Sequence, residues 1–143
     1  MSWISELLNI FRPVAPAPPS VDDAEEMLRL TNLHRSQKQL PLYRHNAELD
    51  EAAQKHADWM FRHNRLDHVG EGGSEFPDRA RRAGYPMNTG GESINFVQGS
   101  PADVIEDWMK RPCDRANLLC RGYQDAGFGR AGNFFVAVFG SPM

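Results

Sequence analysis

The sequence predicts an α+β protein: a small antiparallel sheet with helices on both faces, a three-layer α-β-α sandwich. Two observations carry this. Residues 134–139 read Phe-Phe-Val-Ala-Val-Phe, so a strand here is apolar on both faces and both need a cover. Upstream, residues 21–37, 47–63 and 101–110 repeat their apolar positions at helical spacing, which supplies that cover.

Residues 1–12 carry Trp3, Ile4, Leu7, Leu8 and Phe11 on one helical stripe. So short a helix is marginal alone in water and calls for a partner: the domain, a membrane or another protein. Residues 13–20, Pro-Val-Ala-Pro-Ala-Pro-Pro-Ser, form an extended linker. The domain spans 21–143. Ser20 is placed to cap the first helix, with Asp22 and Asp23 at its positive end. Leu40-Pro41-Leu42 follows as an extended edge segment. The second helix turns Leu49, Ala52, Ala53, His56 and Met60 inward.

The stretch 64–95 is rich in glycine and is expected to be a shaped loop. It places His68 near one end and Glu92 near the other, on the rim of a common cleft. A short helix over 76–82, closed by Gly84, interrupts it. Ser100-Pro101-Ala102-Asp103 starts the next helix: serine caps, proline takes the first position, and aspartate favours the positive end. Pro112 ends that helix. Residues 124–130 and 134–139 make a hairpin about Ala131-Gly132-Asn133.

Composition sets limits on function. The chain has 143 residues, enough for one domain with a core, and a formal charge of −3. No nucleic-acid partner is expected. Arg79, Arg81 and Arg82 are offset by Glu71, Glu75 and Asp78 and are expected to form a solvated face. No transmembrane span is evident, and residues 1–12 lack the features of a signal peptide, with Glu6 interrupting the apolar run. The two cysteines, Cys113 and Cys120, would lie about 10 Å apart in a helix, too far to bridge. In a turn they could pair, so both states stay open.

Taken in order, several motifs form a pattern: Asn32-x-x-Arg35; Ala52-Ala53-Gln54-x-His56-Ala57-x-x-Met60; Asp67-His68-x-Gly70; and Ala83-Gly84-Tyr85. Then come Gly91-Glu92-Ser93-Ile94, Trp108-Met109-x-x-Pro112-x-x-Arg115-Ala116-Asn117, and Gly127-Phe128-Gly129. Together they resemble the CAP superfamily (cysteine-rich secretory proteins, antigen 5, pathogenesis-related 1), most closely its bacterial SCP-like branch. The resemblance covers residues 24–140 and implies the same sandwich. It also implies an extracellular or envelope setting, and for some relatives a lipid-like ligand.

The resemblance further implies a tetrad of two histidines and two glutamates. His68 matches the first histidine and Glu92 one glutamate. Asp114 stands where the second histidine is expected, and Arg111 where some members have the second glutamate. A cleft of His68, Glu92, Asp114 and Arg111 is a harder donor set than two imidazoles. Arg111 would repel a cation, so zinc or another divalent ion is disfavoured. The plainer account is a hydrogen-bonded ion cluster that fixes the loops.

The function expected is a non-enzymatic binding or interaction domain for a lipid-like or peptide ligand. Two alternatives compete: a hydrolase or metal-dependent enzyme using His68 and Glu92, and an assembly component docked through residues 1–12. Ser93 with His68 matches no hydrolase elbow, and Asp114 beside Cys113 works against a thiolate. His56 reads as a core histidine and His63 as a helix-end one. Gly127-x-Gly129 lies inside a hairpin, without the context of a phosphate loop.

Overall fold

The structure is a computed structural model that describes residues 21–143. The expected tail, linker and Ser20 cap lie outside the described residues.

Helix α1, Val21–Gln37, buries Met27, Thr31 and Arg35. Two of its polar residues tie it down. Asn32 pairs with both backbone groups of Tyr43, at 2.9 and 3.1 Å, as a neighbouring strand would. The Arg35 guanidinium donates to the carbonyls of Pro41, Leu118 and Cys120 and lies 3.7 Å over the Tyr43 ring. Strand β1 is only Arg44–His45, displaced from the extended segment expected at Leu40-Pro41-Leu42. Asn32 holds the chain at Tyr43, so pairing begins one residue later.

Helix α2, Ala47–His63, is capped by Asn46, whose side chain accepts from Leu49 N. It closes on Asn64 in the left-handed conformation. It buries the expected stripe together with Ala57. A 3-10 turn at Glu71–Gly73 leads to α3, Phe76–Arg82, held by the reciprocal capping of Glu75 and Asp78.

Strand β2, Met87–Phe96, corrects the sequence reading, in which this half of the glycine-rich stretch was a loop. Glycine here marks close approach rather than slack. A Cβ at Gly91 would fall 2.5 Å from Asn117 Oδ1, and one at Gly90 2.6 Å from Phe139 O. The buried residues of β2 include Glu92, Ser93 and Asn95, so no apolar alternation announces a strand.

Helix α4, Pro101–Lys110, has the expected cap. Pro112 ends it but also occupies the first turn of a further helix, α5, Pro112–Leu119. Cys113 and Cys120 are free thiols. Strands β3, Asp125–Ala131, and β4, Phe134–Pro142, form the hairpin, turning at Gly132 with φ 59°.

The sheet order is β1-β3-β4-β2. β3, β4 and β2 are antiparallel, whereas β1 joins β3 in parallel, so the sheet is mixed at one edge. Phe134, Val136 and Val138 pack with α2 and α3; Phe135, Ala137 and Phe139 pack with α1, α4 and α5. This is the three-layer sandwich.

Side chains close both sheet edges. Beyond β1, Asp50 accepts from Phe128 N, and Gln54 exchanges two hydrogen bonds with the Arg130 backbone. On β2 the carbonyls of Gly90, Glu92 and Ile94 accept from Tyr123, Asn117 and Trp108. These contacts cap part of the backbone that another strand would use as a template.

Candidate functional site

Strand β2 delivers Glu92 to the α2–α3 side of the sheet, with Ile94. Its side chain is 1% exposed. Both oxygens are engaged: Oε1 with His68 Nδ1 at 2.9 Å, Oε2 with Arg79 Nη2 at 2.7 Å. Arg79 also donates to the carbonyls of Ser74 and His68, so one guanidinium on α3 joins β2 and the loop that precedes α3.

The loop bearing His68 is shaped from beneath. Buried His56 donates from Nε2 to Asp67 O at 2.7 Å, and Asp67 Oδ1 accepts from Val69 N. Gly70 then passes so close that a Cβ would fall 2.7 Å from His56 Nδ1. His68 is left standing out, its side chain 61% exposed, with Nδ1 committed to Glu92 and Nε2 facing outward.

The hydrogen bond from Glu92 raises the His68 pKa above its ordinary 6.5, and the charges of Glu92 and Asp114 add to this against partial burial and Arg79. Burial does the opposite to His56, whose pKa is lowered. The cluster therefore biases His68 toward its charged form and His56 toward its neutral form.

His68 and Glu92 are thus brought together. Asp114, half-buried on α5, acts on His68 through its charge, but no hydrogen bond joins them. Arg111 is exposed at the start of α5 and donates nothing to the cluster. The guanidinium at the site is Arg79, which the sequence reading assigned to a solvated face. Only Arg81 and Arg82 are exposed. The signal was present: Phe76, Arg79, Ala80 and Ala83 fall at helical spacing on one stripe.

Adjacent strand residues face opposite ways, so Ser93 points away from His68. It is fully buried, and its Oγ accepts from Asn117 at 3.2 Å. His63 is exposed and bonds to Trp59 O at the helix end. A cleft of about 240 Å³ opens beside the ion cluster, lined by His68, Glu75, Phe76, Pro77 and Glu92.

Residues 28–139 match the model of the cysteine-rich secretory protein family, CAP. The chain belongs to the CAP family. The uncharacterised protein YkwD of Bacillus subtilis is 30% identical over 115 residues, 79% of this chain and 44% of that protein. This CAP chain therefore spans less than half the length of that relative. Its fold is similar to an extracellular SCP-domain protein of Bacillus anthracis, with TM-score 0.80 and 24% identity over 83% of this chain and 40% of the other. It is similar also to an outer surface protein of Borrelia burgdorferi, with TM-score 0.81 and 16% identity over 90% of this chain and 99% of the other.

A zinc ion at Glu92 would meet a guanidinium already bound to the carboxylate. Arg79 lies 2.7 Å from the Glu92 carboxylate, where a cation would have to displace it. Among the described residues no three of His, Cys, Asp or Glu converge as a ligand set.

Proposed function

We propose that this CAP domain is a non-enzymatic binding module whose His68 cleft takes an amphiphile: a fatty acid or a peptide with an apolar C-terminus. The observation that carries the reading is the engagement of both Glu92 oxygens, at 2.7 and 2.9 Å, by Arg79 and His68. A carboxylate so held, with its side chain 1% exposed, is poorly placed to reach a substrate as general base or nucleophile. The group it presents is the outward Nε2 of His68, made more cationic by Glu92. Beside it stand Phe76 and Pro77 in the cleft and exposed Leu66 and Val69 on the same loop. A donor for an anionic head next to apolar surface suits a carboxylate with a hydrocarbon body. The extracellular and outer-surface descriptions of the structurally similar proteins favour work outside the cell.

Native mass spectrometry of the protein, incubated with dodecanoate or with a short peptide ending in leucine, tests this. A one-to-one complex that weakens in His68→Ala is the expected result. Zinc titration by calorimetry gives the opposing outcome. Tight zinc binding lost in His68→Ala, with no amphiphile retained, would replace this reading by a metal site.

A further inference from the structure

The two ring nitrogens of His68 have different duties. Nδ1 lies 2.9 Å from Glu92 Oε1, and Arg79 holds the other Glu92 oxygen at 2.7 Å. With a guanidinium on its second oxygen, this carboxylate is an acceptor only. Nδ1 must therefore carry a proton to make its bond. Nε2 has no hydrogen-bond partner among the described residues, and the ring stands exposed on the lining of the cleft.

This fixes which nitrogen titrates. Imidazolium His68 is a donor at both nitrogens. On losing a proton it keeps the one on Nδ1, because removing that one would set two acceptors face to face. The proton leaves from Nε2. What the ring presents to the cleft then changes from a charged N–H donor to a bare lone pair. Glu92 on β2 and Asp114 on α5 favour the charged ring, while partial burial and Arg79 on α3 oppose it, and the balance sets the midpoint above the ordinary 6.5. His56 on α2, biased to its neutral form, and exposed Glu75 on the cleft wall are further titratable neighbours.

The two states of the ring suit different head groups. A carboxylate has only lone pairs to offer. It pairs with the Nε2 proton and its charge. It is repelled once Nε2 is bare, since Asp114 and Glu75 then act with no imidazolium against them. A hydroxyl both donates and accepts. It accepts from protonated Nε2 and donates to the bare nitrogen, so it is held by either form. The apolar walls of Phe76 and Pro77 serve both ligands alike.

Resting on the amphiphile reading of this cleft, we propose that the charge of His68 selects the ligand's head group: the imidazolium takes fatty carboxylates, and the neutral ring releases them but retains fatty alcohols. No movement of the backbone is needed. Carboxylate affinity follows the fraction of protein in the charged form, so its apparent Kd rises about tenfold for each pH unit above the midpoint. Alcohol affinity changes by less than about fivefold, the difference between a charge-assisted hydrogen bond and a neutral one.

The test uses the full chain with 15N-labelled histidine, titrated with octanoate and with 1-octanol over a pH series above the ionisation of octanoate itself. The ring nitrogens of the free protein give the His68 midpoint. The expected result is that Nδ1 keeps its proton and Nε2 loses its own, while octanoate weakens above the midpoint and octanol hardly changes. His68→Gln, which keeps a polar side chain but does not titrate, is expected to bind octanoate weakly and without pH dependence. A neutral ring protonated at Nε2 overturns the proposal. So do octanoate and octanol weakening in parallel, or a pH dependence that persists in His68→Gln. Octanoate binding that stays constant through the midpoint, yet weakens in His68→Ala, also overturns it and leaves the amphiphile reading standing. Binding of neither compound at any pH overturns that reading and this proposal together.

Discussion

Glu92 and Arg79 depend on each other because both are buried. Removing one partner strands the other charge away from water. Arg79→Ala is expected to cost about 3–5 kcal/mol in urea unfolding. Arg79→Met with Glu92→Met is expected to cost less than the sum of the single changes, since neither charge is then left alone. Additive losses would show that the two are not coupled. The histidines beside them give stability a maximum in pH. His68 has a raised pKa, so the stability it adds is complete below 6.5 and is lost as pH rises through its folded value. His56 has a lowered pKa, so its contribution is complete above 6.5 and is lost as pH falls through its folded value. Unfolding free energy measured across this range is expected to peak near 6.5. His68→Gln should flatten the alkaline side alone; an unchanged alkaline slope would remove His68 from the account.

At the scale of elements, the docking of α2 on β3 rests on two missing side chains. A Cβ at Gly127 would lie 2.2 Å from Asp50 N and from the Leu49 carbonyl carbon, and one at Gly129 2.5 Å from Gln54 N. These are backbone atoms, so the helix itself would have to move. Gly127→Ala is expected to destabilise by about 3 kcal/mol, at the upper end of overpacking. Gly122→Ala, where the nearest atom is Cys120 Sγ at 3.6 Å, should stay within about 0.5 kcal/mol. Denaturation of the two variants side by side measures this, and equal losses would contradict the close approach. The same contact explains why Asp50 and Gln54 reach the backbone of β3: only a helix lying this near can close a sheet edge with short side chains.

For the whole molecule, the described residues supply a core layer on each face of the sheet, from Met27 to Phe139. The domain is therefore expected to fold without residues 1–20. Deleting them should leave circular dichroism and Tm unchanged while altering either the oligomeric state or sedimentation with vesicles. Residues 1–12 carry the apolar side chains of Trp3, Ile4, Leu7, Leu8 and Phe11, which are expected to seek a cover in an assembly or a membrane, and the deletion removes them. A truncated protein that unfolds, or one that matches the full chain in both association measurements, would contradict this.

The sequence by itself determined the elements whose signals are local. Ser100-Pro101 marks a helix start, the apolar periods mark inward faces, and the two-faced strand at 134–139 requires a layer on each side. His68 and Glu92 were also legible, because their flanking motifs match a family pattern. Tertiary structure decided the rest. β2 is a strand because β4 pairs along it and β4 lies far on in the chain; nothing in its own polar, glycine-bearing sequence requires it. α5 begins at the same proline that ends α4, and a stop signal does not announce a new start. Arg79, rather than Arg111, joins the cluster for a related reason. Which charge becomes buried is set by where a buried carboxylate comes to rest, and the fold brings β2 against α3. Burial then turns a surface-like arginine into the partner of Glu92, because a low-dielectric site leaves the carboxylate no water to replace it.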